Sequence, residues 1–442
     1  MKTLILASGY GERLFPLSRE DRPKQFVKID GESLLQKTVM RASLLSEQDD
    51  IYVITRTELE SLVKQHLGEI GINARIILEP SARGTLITNY IGMSKIAEEG
   101  NSIVALLPSD HIIEANQTYI EAFKEAEELA KQGYLVVFGI KPTNPHTGYG
   151  YIKPGKKISS QGFLVKSFVE KPNKETAQLY INQGYLWNSG MLVTSTETFF
   201  RECKRFIPEL NIETCSSLTG SFEKKVLEKS DHAAVIRLDV FWTDVGSFQT
   251  LYEISEKNKD ENAVLGKAEL LNAKGNLVVG DNLYLIDVNN LAVIKNGNAV
   301  LVCPLASSQK VRDLVKIIRE TNPEVLSSKQ RVEKPWGYYY VLYESEQYKV
   351  KELVINPKQR LSLQSHNYRS EHWIILEGYA KVTVDDNVSI LKKDDSIYIP
   401  KKSKHRVENP YESTQLKILE IQTGEKLDET DIIRFEDDYG RT

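Results

Sequence analysis

Leu6-Ala7-Ser8-Gly9-Tyr10-Gly11-Glu12-Arg13-Leu14-Phe15-Pro16-Leu17-Ser18-Arg19, running on to Pro23-Lys24-Gln25-Phe26, decides how the chain folds. It leaves an apolar run, Thr3–Ala7, that reads as a buried strand. Two glycines one residue apart let backbone N–H groups approach an anion closely, and Arg13 and Lys24 add charge where a triphosphate would lie. A dinucleotide fingerprint is excluded, since no third glycine follows at the required offset and Pro16 interrupts a continuing helix. Taken alone, Gly9-x-Gly11 fits a sharp strand exit with solvated charges equally well.

Outward from this loop, Ile51–Thr55, Ile103–Leu107 and Tyr134–Gly139 repeat the short apolar pattern, and helix-period segments such as Tyr119–Lys131 separate them. The alternation predicts an α/β sandwich on a mixed, mostly parallel, Rossmann-like sheet, where ligands bind beyond the carboxyl ends of strands. Two further loops carry acids: Leu106-Leu107-Pro108-Ser109-Asp110-His111 and Trp242-Thr243-Asp244-Val245-Gly246-Ser247. Two carboxylates from distant segments suit Mg²⁺, which takes few protein ligands together with substrate phosphates. The alternative for each is a cap on the next helix.

Between Asn262 and Cys303, brief Val/Leu/Ile runs are punctuated by Asn, Gly and Asp, which predicts short strands in a small β-helix or a meander, with no clean repeat period. Val311, Leu314, Val315 and Ile318 then form one apolar helical face closed by Pro323, and a polar linker follows to Lys329. From about Val332 onward Tyr348–Ile355, Trp373–Leu376, Lys381–Val384, Ser396–Ile399 and Leu416–Ile421 alternate as strands, predicting a compact jelly-roll barrel. The expected division is 1–260, 261–329 and 330–442.

A chain of 442 residues, 41% hydrophobic and 27% charged, has room for two or three globular domains of ~100–200 residues. Its net charge of −4 offers no sequence-blind attraction to nucleic acid or to an anionic membrane. Leu4–Ala7 is too short for a signal peptide's apolar core and nothing longer suggests a span, so a cytoplasmic location is expected. Cys203, Cys215 and Cys303 are scattered without C-x-x-C spacing, and buried thiols are expected. A homo-oligomer is compatible with all of this.

Several motifs together resemble the sugar-1-phosphate nucleotidyltransferases, most closely the mannose-1-phosphate guanylyltransferase branch. They are the opening loop, Glu79-Pro80-x-x-Arg83, Leu107-Pro108-Ser109-Asp110-His111, Pro142–Ile152 with Gly148-Tyr149-Gly150, Phe168-Val169-Glu170-Lys171-Pro172-Asn173, Trp187-Asn188-Ser189-Gly190-Met191 and Trp242-x-Asp244-Val245-Gly246-Ser247. The resemblance implies that Ser8, Gly9, Gly11, Arg13, Lys24, Arg83, Ser109 and Asp110 meet the nucleotide. It further implies that Asp110 and Asp244 carry Mg²⁺, and that Gly148, Tyr149, Glu170, Lys171 and Asn188 meet the sugar phosphate. The substrates implied are GTP and mannose-1-phosphate, joined without a covalent enzyme intermediate. Ser8, Glu12, Phe15, Phe248 and Gly84 depart from the usual family pattern.

In the last domain, Gln364 and His366 lie two apart and so share a strand face, and Glu371 and His405 could join them. Gln364-x-His366-x4-Glu371-x6-Gly378 followed by Pro400-x4-His405-x3-Asn409 resembles the two cupin motifs. Two histidines, an amide oxygen and a carboxylate suit zinc or another first-row ion. His372 falls on the opposite face from Glu371. More narrowly, Glu333–Gly337, Gln347–Lys351, Arg369–Trp373 and Arg434–Arg441 look like type II mannose-6-phosphate isomerase. This likeness implies interconversion of mannose-6-phosphate and fructose-6-phosphate, with Arg441 a candidate for gripping the phosphate or the ene-diol oxygens; no general base is identified, and Tyr368 stands where histidine is frequent. The alternatives are a transferase for another sugar phosphate and a non-catalytic, sugar-binding or dimerising cupin.

Overall fold

The computed structural model describes residues 1–211, 213–326 and 332–440. The expected linker end at Ser327–Lys329 and the candidate Arg441 lie outside the described residues. The chain forms two compact units, Met1–Leu326 and Ser327–Thr442.

The first unit is built on nine strands: β1 (Lys2–Leu6), β2 (Ile51–Arg56), β3 (Arg75–Glu79), β4 (Ile103–Pro108), β5 (Leu135–Ile140), β6 (Gly150–Lys157), β7 (Gly162–Glu170), β8 (Leu186–Ser195) and β9 (Ala233–Arg237). Their order is β3-β2-β1-β4-β8-β5-β9-β7-β6. The first four run parallel, as do β5 and β9, while β8 pairs antiparallel with both β4 and β5 and makes the sheet mixed. Alternate side chains enter opposite cores: Ile5, Val53, Ala105 and Phe138 one, Leu4, Ile54, Leu106 and Val137 the other. Burial on both faces is why these strands read as continuous apolar runs instead of alternating ones. Helices α1 (Leu34–Ala42), α2 (Glu60–Glu69) and α4 (Gln117–Lys131) cover the first face, and α3 (Thr85–Ala97), with α6 (Thr196–Phe206), covers the second. Between α4 and α6 lies α5 (Lys174–Asn182).

After α7 (Phe248–Ile254) come β10 (Ala263–Leu265), β11 (Ala268–Leu271), β12 (Leu277–Val279), β13 (Leu283–Ile286), β14 (Leu291–Asn296) and β15 (Ala299–Pro304). β10, β12 and β14 stack in parallel, as do β11 and β13, so of the two expected forms the coiled β-helix is the one present. A repeat does exist: Ala263 aligns with Leu277 and Leu277 with Ala292, steps of 14 and 15 residues. Its marker is a ladder of buried amides. Asn276 Nδ2 donates to Asn262 Oδ1 and to the Val288 carbonyl, each at 2.9 Å, and Asn276 Oδ1 accepts the Leu291 amide at 2.9 Å. The coil shares one core with Leu14, Phe15, Val245 and Phe248, so it buttresses the opening loop from behind. Arg19 ties the two together, donating to Asn298 Oδ1 (3.0 Å) and to the carbonyls of Val325 (2.8 Å) and Asn296 (2.6 Å). Helix α8 (Val311–Thr321) buries Val311 and Val315 as expected, whereas Leu314 is 37% exposed because the contact face is narrower than its apolar stripe.

The second unit is a barrel of two sheets. One is ordered β16 (Val332–Lys334), β17 (Gly337–Glu344), β18 (Tyr348–Ile355), β25 (Leu416–Gly424), β20 (Arg369–Glu377), β23 (Ser396–Ile399). The other is ordered β22 (Asn387–Lys392), β21 (Tyr379–Val384), β24 (His405–Glu408), β19 (Leu363–His366), β26 (Ile432–Glu436). Trp373, Ile375, Val382, Ile399, Val407 and Ile418 fill the interior between the sheets. No helix among the described residues is long and apolar enough to cross a membrane.

Candidate active sites

A cavity of about 400 Å³ opens beyond the carboxyl ends of β1 and β4, lined by Leu6 and Pro108 from those ends. Among the residues singled out from sequence, Ser8, Gly9, Arg13, Asp110, Gly148, Tyr149, Glu170, Lys171, Asn188 and Asp244 line it. Gly11, Lys24, Arg83 and Ser109 do not. Gly11 has a left-handed φ of +61°, and a Cβ there would sit 2.5 Å from the Lys24 amide nitrogen, so the bare backbone lets the two ends of the loop close on each other. Lys24 is buried and spans two strand-end loops, its Nζ 2.8 Å from Asp110 Oδ2 and also donating to the Asp244 carbonyl. Ser109 is buried, with its amide on the Leu6 carbonyl at 3.3 Å, and Arg83 donates to Ser81 Oγ at 3.1 Å.

Neither acid caps a helix. Asn116 caps α4 and Ser247 caps α7, which leaves both carboxylates turned to the cavity. Burial opposes the charge of Asp110, but Lys24 and His111 outweigh it and hold the carboxyl below its ordinary value. Asp244 Oδ1 accepts the Tyr149 hydroxyl at 2.7 Å and the Gly246 amide at 3.0 Å, while Oδ2 lies 4.0 Å from Arg13 Nη1. Tyr149 was expected on the sugar phosphate; its hydroxyl is committed to Asp244, and its ring stacks on His146 at 3.9 Å. Lys171 pairs with Glu170 at 2.9 Å, and the Glu170 amide is held by Glu228 at 2.7 Å.

Two cavity residues received no role from the motifs. His111 follows Asp110, meets Trp242 edge-on with centroids 5.4 Å apart, and burial pushes its imidazole below the ordinary value against the opposing charge of Asp110. Glu223 comes from a segment with no family motif and accepts the Thr85 hydroxyl at 2.9 Å. That segment also explains the departure at Gly84. With φ +95°, a Cβ at Gly84 would lie 2.4 Å from the Gly220 carbonyl oxygen, which accepts the Leu86 amide at the start of α3.

Inside the barrel, His366, Glu371 and His405 offer ligand atoms within 4.8 Å of one another, and all three are buried. His366 Nε2 is 3.1 Å from Glu371 Oε1, and His405 Nε2 is 3.6 Å from Oε2. Gln364 joins them, its Nε2 3.4 Å from His366 Nε2. Each histidine places Nδ1 on a backbone carbonyl, His366 on Asp431 at 3.3 Å and His405 on Ser403 at 2.9 Å. Such contacts fix the tautomer that presents Nε2, the usual support for a metal-binding imidazole. His405 Nε2 is buried with no hydrogen-bond partner, a cost a bound ion would remove. The donor set therefore fits a borderline divalent metal. Burial works against the Glu371 charge, yet His366, His405 and Arg369 hold its carboxyl well below the usual range. His372 is exposed on the outer face.

Around these four stand residues the motifs did not assign. Arg369 donates to Glu371 Oε1 at 3.1 Å, and Trp373 Nε1 reaches both Glu371 and Glu420 at 3.2 Å. Gln422 donates to Glu371 at 3.0 Å and to Glu420 at 2.9 Å, and Lys351 approaches Glu420 at 3.6 Å. A signal was present: Leu416, Ile418, Glu420 and Gln422 occupy one inward parity of β25, so two polar residues stand where a core strand would be apolar.

Residues 2–261 match the Nucleotidyl transferase family, and 321–437 match the family Mannose-6-phosphate isomerase C-terminal. The Xanthan biosynthesis protein XanB of Xanthomonas campestris pv. campestris (strain B100) is 36% identical over 465 aligned residues, covering 99% of each chain. A mannose-1-phosphate guanylyltransferase of Salmonella montevideo is 36% identical over 476, again covering 99% of both. Among solved structures, the Thermus thermophilus protein described as mannose-1-phosphate geranyltransferase superposes with a TM-score of 0.66 at 31% identity, covering 72% of this chain and 99% of its own.

Proposed function

The chain belongs to the nucleotidyl transferase family, in the mannose-1-phosphate guanylyltransferase branch that carries a mannose-6-phosphate isomerase C-terminal domain; from that premise we propose that it makes GDP-mannose from GTP and mannose-1-phosphate and interconverts mannose-6-phosphate with fructose-6-phosphate. The observation that carries the first activity is the meeting of Arg13, Asp110, Glu170, Lys171, Asn188 and Asp244, from five separate segments, on one cavity.

In the transfer, a phosphate oxygen of mannose-1-phosphate attacks the α-phosphorus of the triphosphate in line, the new P–O bond forms as the bond to the β-phosphate oxygen breaks, and pyrophosphate leaves. Gly9 and Ser8 offer close approach to the nucleotide, and Arg13 neutralises its charge. Lys24 holds the Asp110 and Asp244 loops together, and Lys171 and Asn188 orient the incoming sugar phosphate against Glu170. Asp110 and Asp244 would hold Mg²⁺, which when bound supplies positive charge shared with the phosphates.

In the barrel, Gln364, His366, Glu371 and His405 would hold zinc or a similar ion, which when bound supplies a Lewis acid for the substrate's carbonyl oxygen. Arg369 and Lys351 bring positive charge beside that site, and Arg441 is proposed to grip the substrate's phosphate. A separate mutase would supply mannose-1-phosphate from mannose-6-phosphate.

The experiment is to offer the purified chain GTP, ATP, CTP and UTP with mannose-1-phosphate and Mg²⁺, and in parallel fructose-6-phosphate with added zinc. GTP is expected to lead in kcat/KM by about tenfold or more. A like preference for another base would overturn the GDP-sugar assignment. Absence of isomerase activity under every metal supplied would make the barrel a binding or structural module.

A further inference from the structure

Strand β22 ends its sheet, pairing with β21 on one side and with no strand on the other among the described residues. It runs through Asp385-Asp386-Asn387-Val388-Ser389-Ile390-Leu391-Lys392-Lys393, and apart from Leu391 every residue of the strand is exposed. Val388 and Ile390, at 59% and 60% exposure, put β-branched side chains on one outer face. The two-residue turn Asp385-Asp386 closes at the pair Val384 and Asn387, so Asn387, Ser389 and Leu391 turn their backbone groups toward β21, and Val388, Ile390 and Lys392 turn theirs to the free edge. The Lys392 amide follows this parity, donating away from β21 to Asp395 Oδ2 at 2.9 Å. An open edge with apolar β-branched residues at its centre is a template for another strand, and such edges are ordinarily blunted at the centre by charge, proline or a bulge.

The charges say which strand fits. Acids lead β22 and lysines close it, so an antiparallel second copy would meet the opposite sign at both ends. Edge parity allows a two-fold axis only at a residue. Centred on Ser389, it sets Val388 opposite Ile390 and Asp386 opposite Lys392. Centred on Ile390, it would bring Asp386 against Asp394; centred on Val388, it would leave Asp386 facing Ile390. We infer that β22 is a self-association strand: two copies of the chain pair through it antiparallel about Ser389, joining their five-stranded sheets. Val388 and Ile390 exchange backbone hydrogen bonds across the axis, and each Asp386 lies beside the other copy's Lys392.

The test uses the full chain in analytical ultracentrifugation and hydrogen exchange. The solution mass is expected to be an even multiple of the chain mass, and Ile390→Lys should halve it, weakening association by about a hundredfold or more, with circular dichroism unchanged. In the intact protein the Val388 and Ile390 amides should be protected, and in Ile390→Lys they should exchange rapidly. Asp386→Lys and Lys392→Asp should each weaken self-association about tenfold by placing like charges together, and an equimolar mixture of the two should reassociate as a heterodimer. A monomeric wild-type chain at about 100 μM, an unchanged mass for Ile390→Lys, or a mixture no tighter than its components would each overturn the inference.

Discussion

Tyr149 donates its hydroxyl hydrogen to Oδ1 of Asp244 at 2.7 Å, and the Gly246 amide takes the same oxygen at 3.0 Å. One carboxylate oxygen is thus immobilised and the other, Oδ2, is aimed by default. Burial and the charge of Asp244 push the Tyr149 phenol far above its ordinary value, so it remains a donor at every working pH. Tyr149→Phe should lower kcat about tenfold and shift the Mg²⁺ dependence to higher concentration by a similar factor. Rates measured across a Mg²⁺ series, with binding of the ion followed separately, check this; an unchanged ion dependence would show that Tyr149 does not position Asp244.

Asp110→Ala and Asp244→Ala should each reduce guanylyl transfer by about a hundredfold or more while circular dichroism is preserved. Removing Asp110 also leaves the buried Lys24 ammonium without its 2.8 Å partner, so a modest fall in Tm is expected as well. Near-normal turnover in either folded variant would take that residue out of the site.

The two activities should separate by residue and by metal. His366→Ala, or chelation before assay, should abolish isomerisation and empty the barrel on metal analysis, while guanylyl transfer in added Mg²⁺ persists. Asp110→Ala should do the reverse, because neither donor set contains a residue of the other.

Burial, and after it the charge of Glu371, pushes the Glu420 carboxyl up to about 7. In the unfolded chain its value is about 4.3. Between these pH values the folded protein binds more protons than the unfolded one, so stability falls as pH rises through the window and the loss is complete above it. Glu420→Gln should stabilise the barrel of chelated protein by on the order of 3–4 kcal/mol at pH 8 and leave it unchanged near pH 4. Denaturant titration at both pH values reads this, and equal effects at both would contradict the raised carboxyl.

Asn276→Ala should cost about 1–2 kcal/mol in the first unit, because it leaves the Leu291 amide without its acceptor and removes two further side-chain bonds from the coil, while Asn262 Oδ1 and the Val288 carbonyl keep backbone donors in Asn276 and Lys274. Urea unfolding is the measurement. A cost within experimental error would show that the coil closes without its amide ladder.

Most of the first unit was legible because strands buried on both faces announce themselves as apolar runs: Ile51–Thr55 and Ile103–Leu107 fall within the observed strands. What escaped was periodicity carried by polar residues. Asn262 and Asn276 lie 14 apart and mark the coil, but a search for apolar repeats does not weigh amides that hydrogen-bond one another. In the sites, motifs pointed to ten of the residues that line the cavity and to the barrel's four central groups, while Gly11, Lys24, Arg83 and Ser109 stand outside the lining. Motifs could not tell that Tyr149 would spend its hydroxyl on Asp244, nor that Glu223 would reach Thr85 from a segment more than a hundred residues away, since both depend on tertiary approach.

The coil that begins at Ala263 shares its core with Leu14 and Phe15 and receives Arg19 at Asn296 and Asn298, while the Val325 carbonyl beyond α8 takes the same guanidinium. Recombination between genes could therefore not exchange the first 261 residues as an independent cassette: a crossover there would give the recipient a phosphate loop whose rear support had stayed with the donor. The tolerable breakpoint lies after Leu326, where the first compact unit ends, so the nucleotidyl-transfer machinery should be inherited as a block some sixty-five residues longer than its family match.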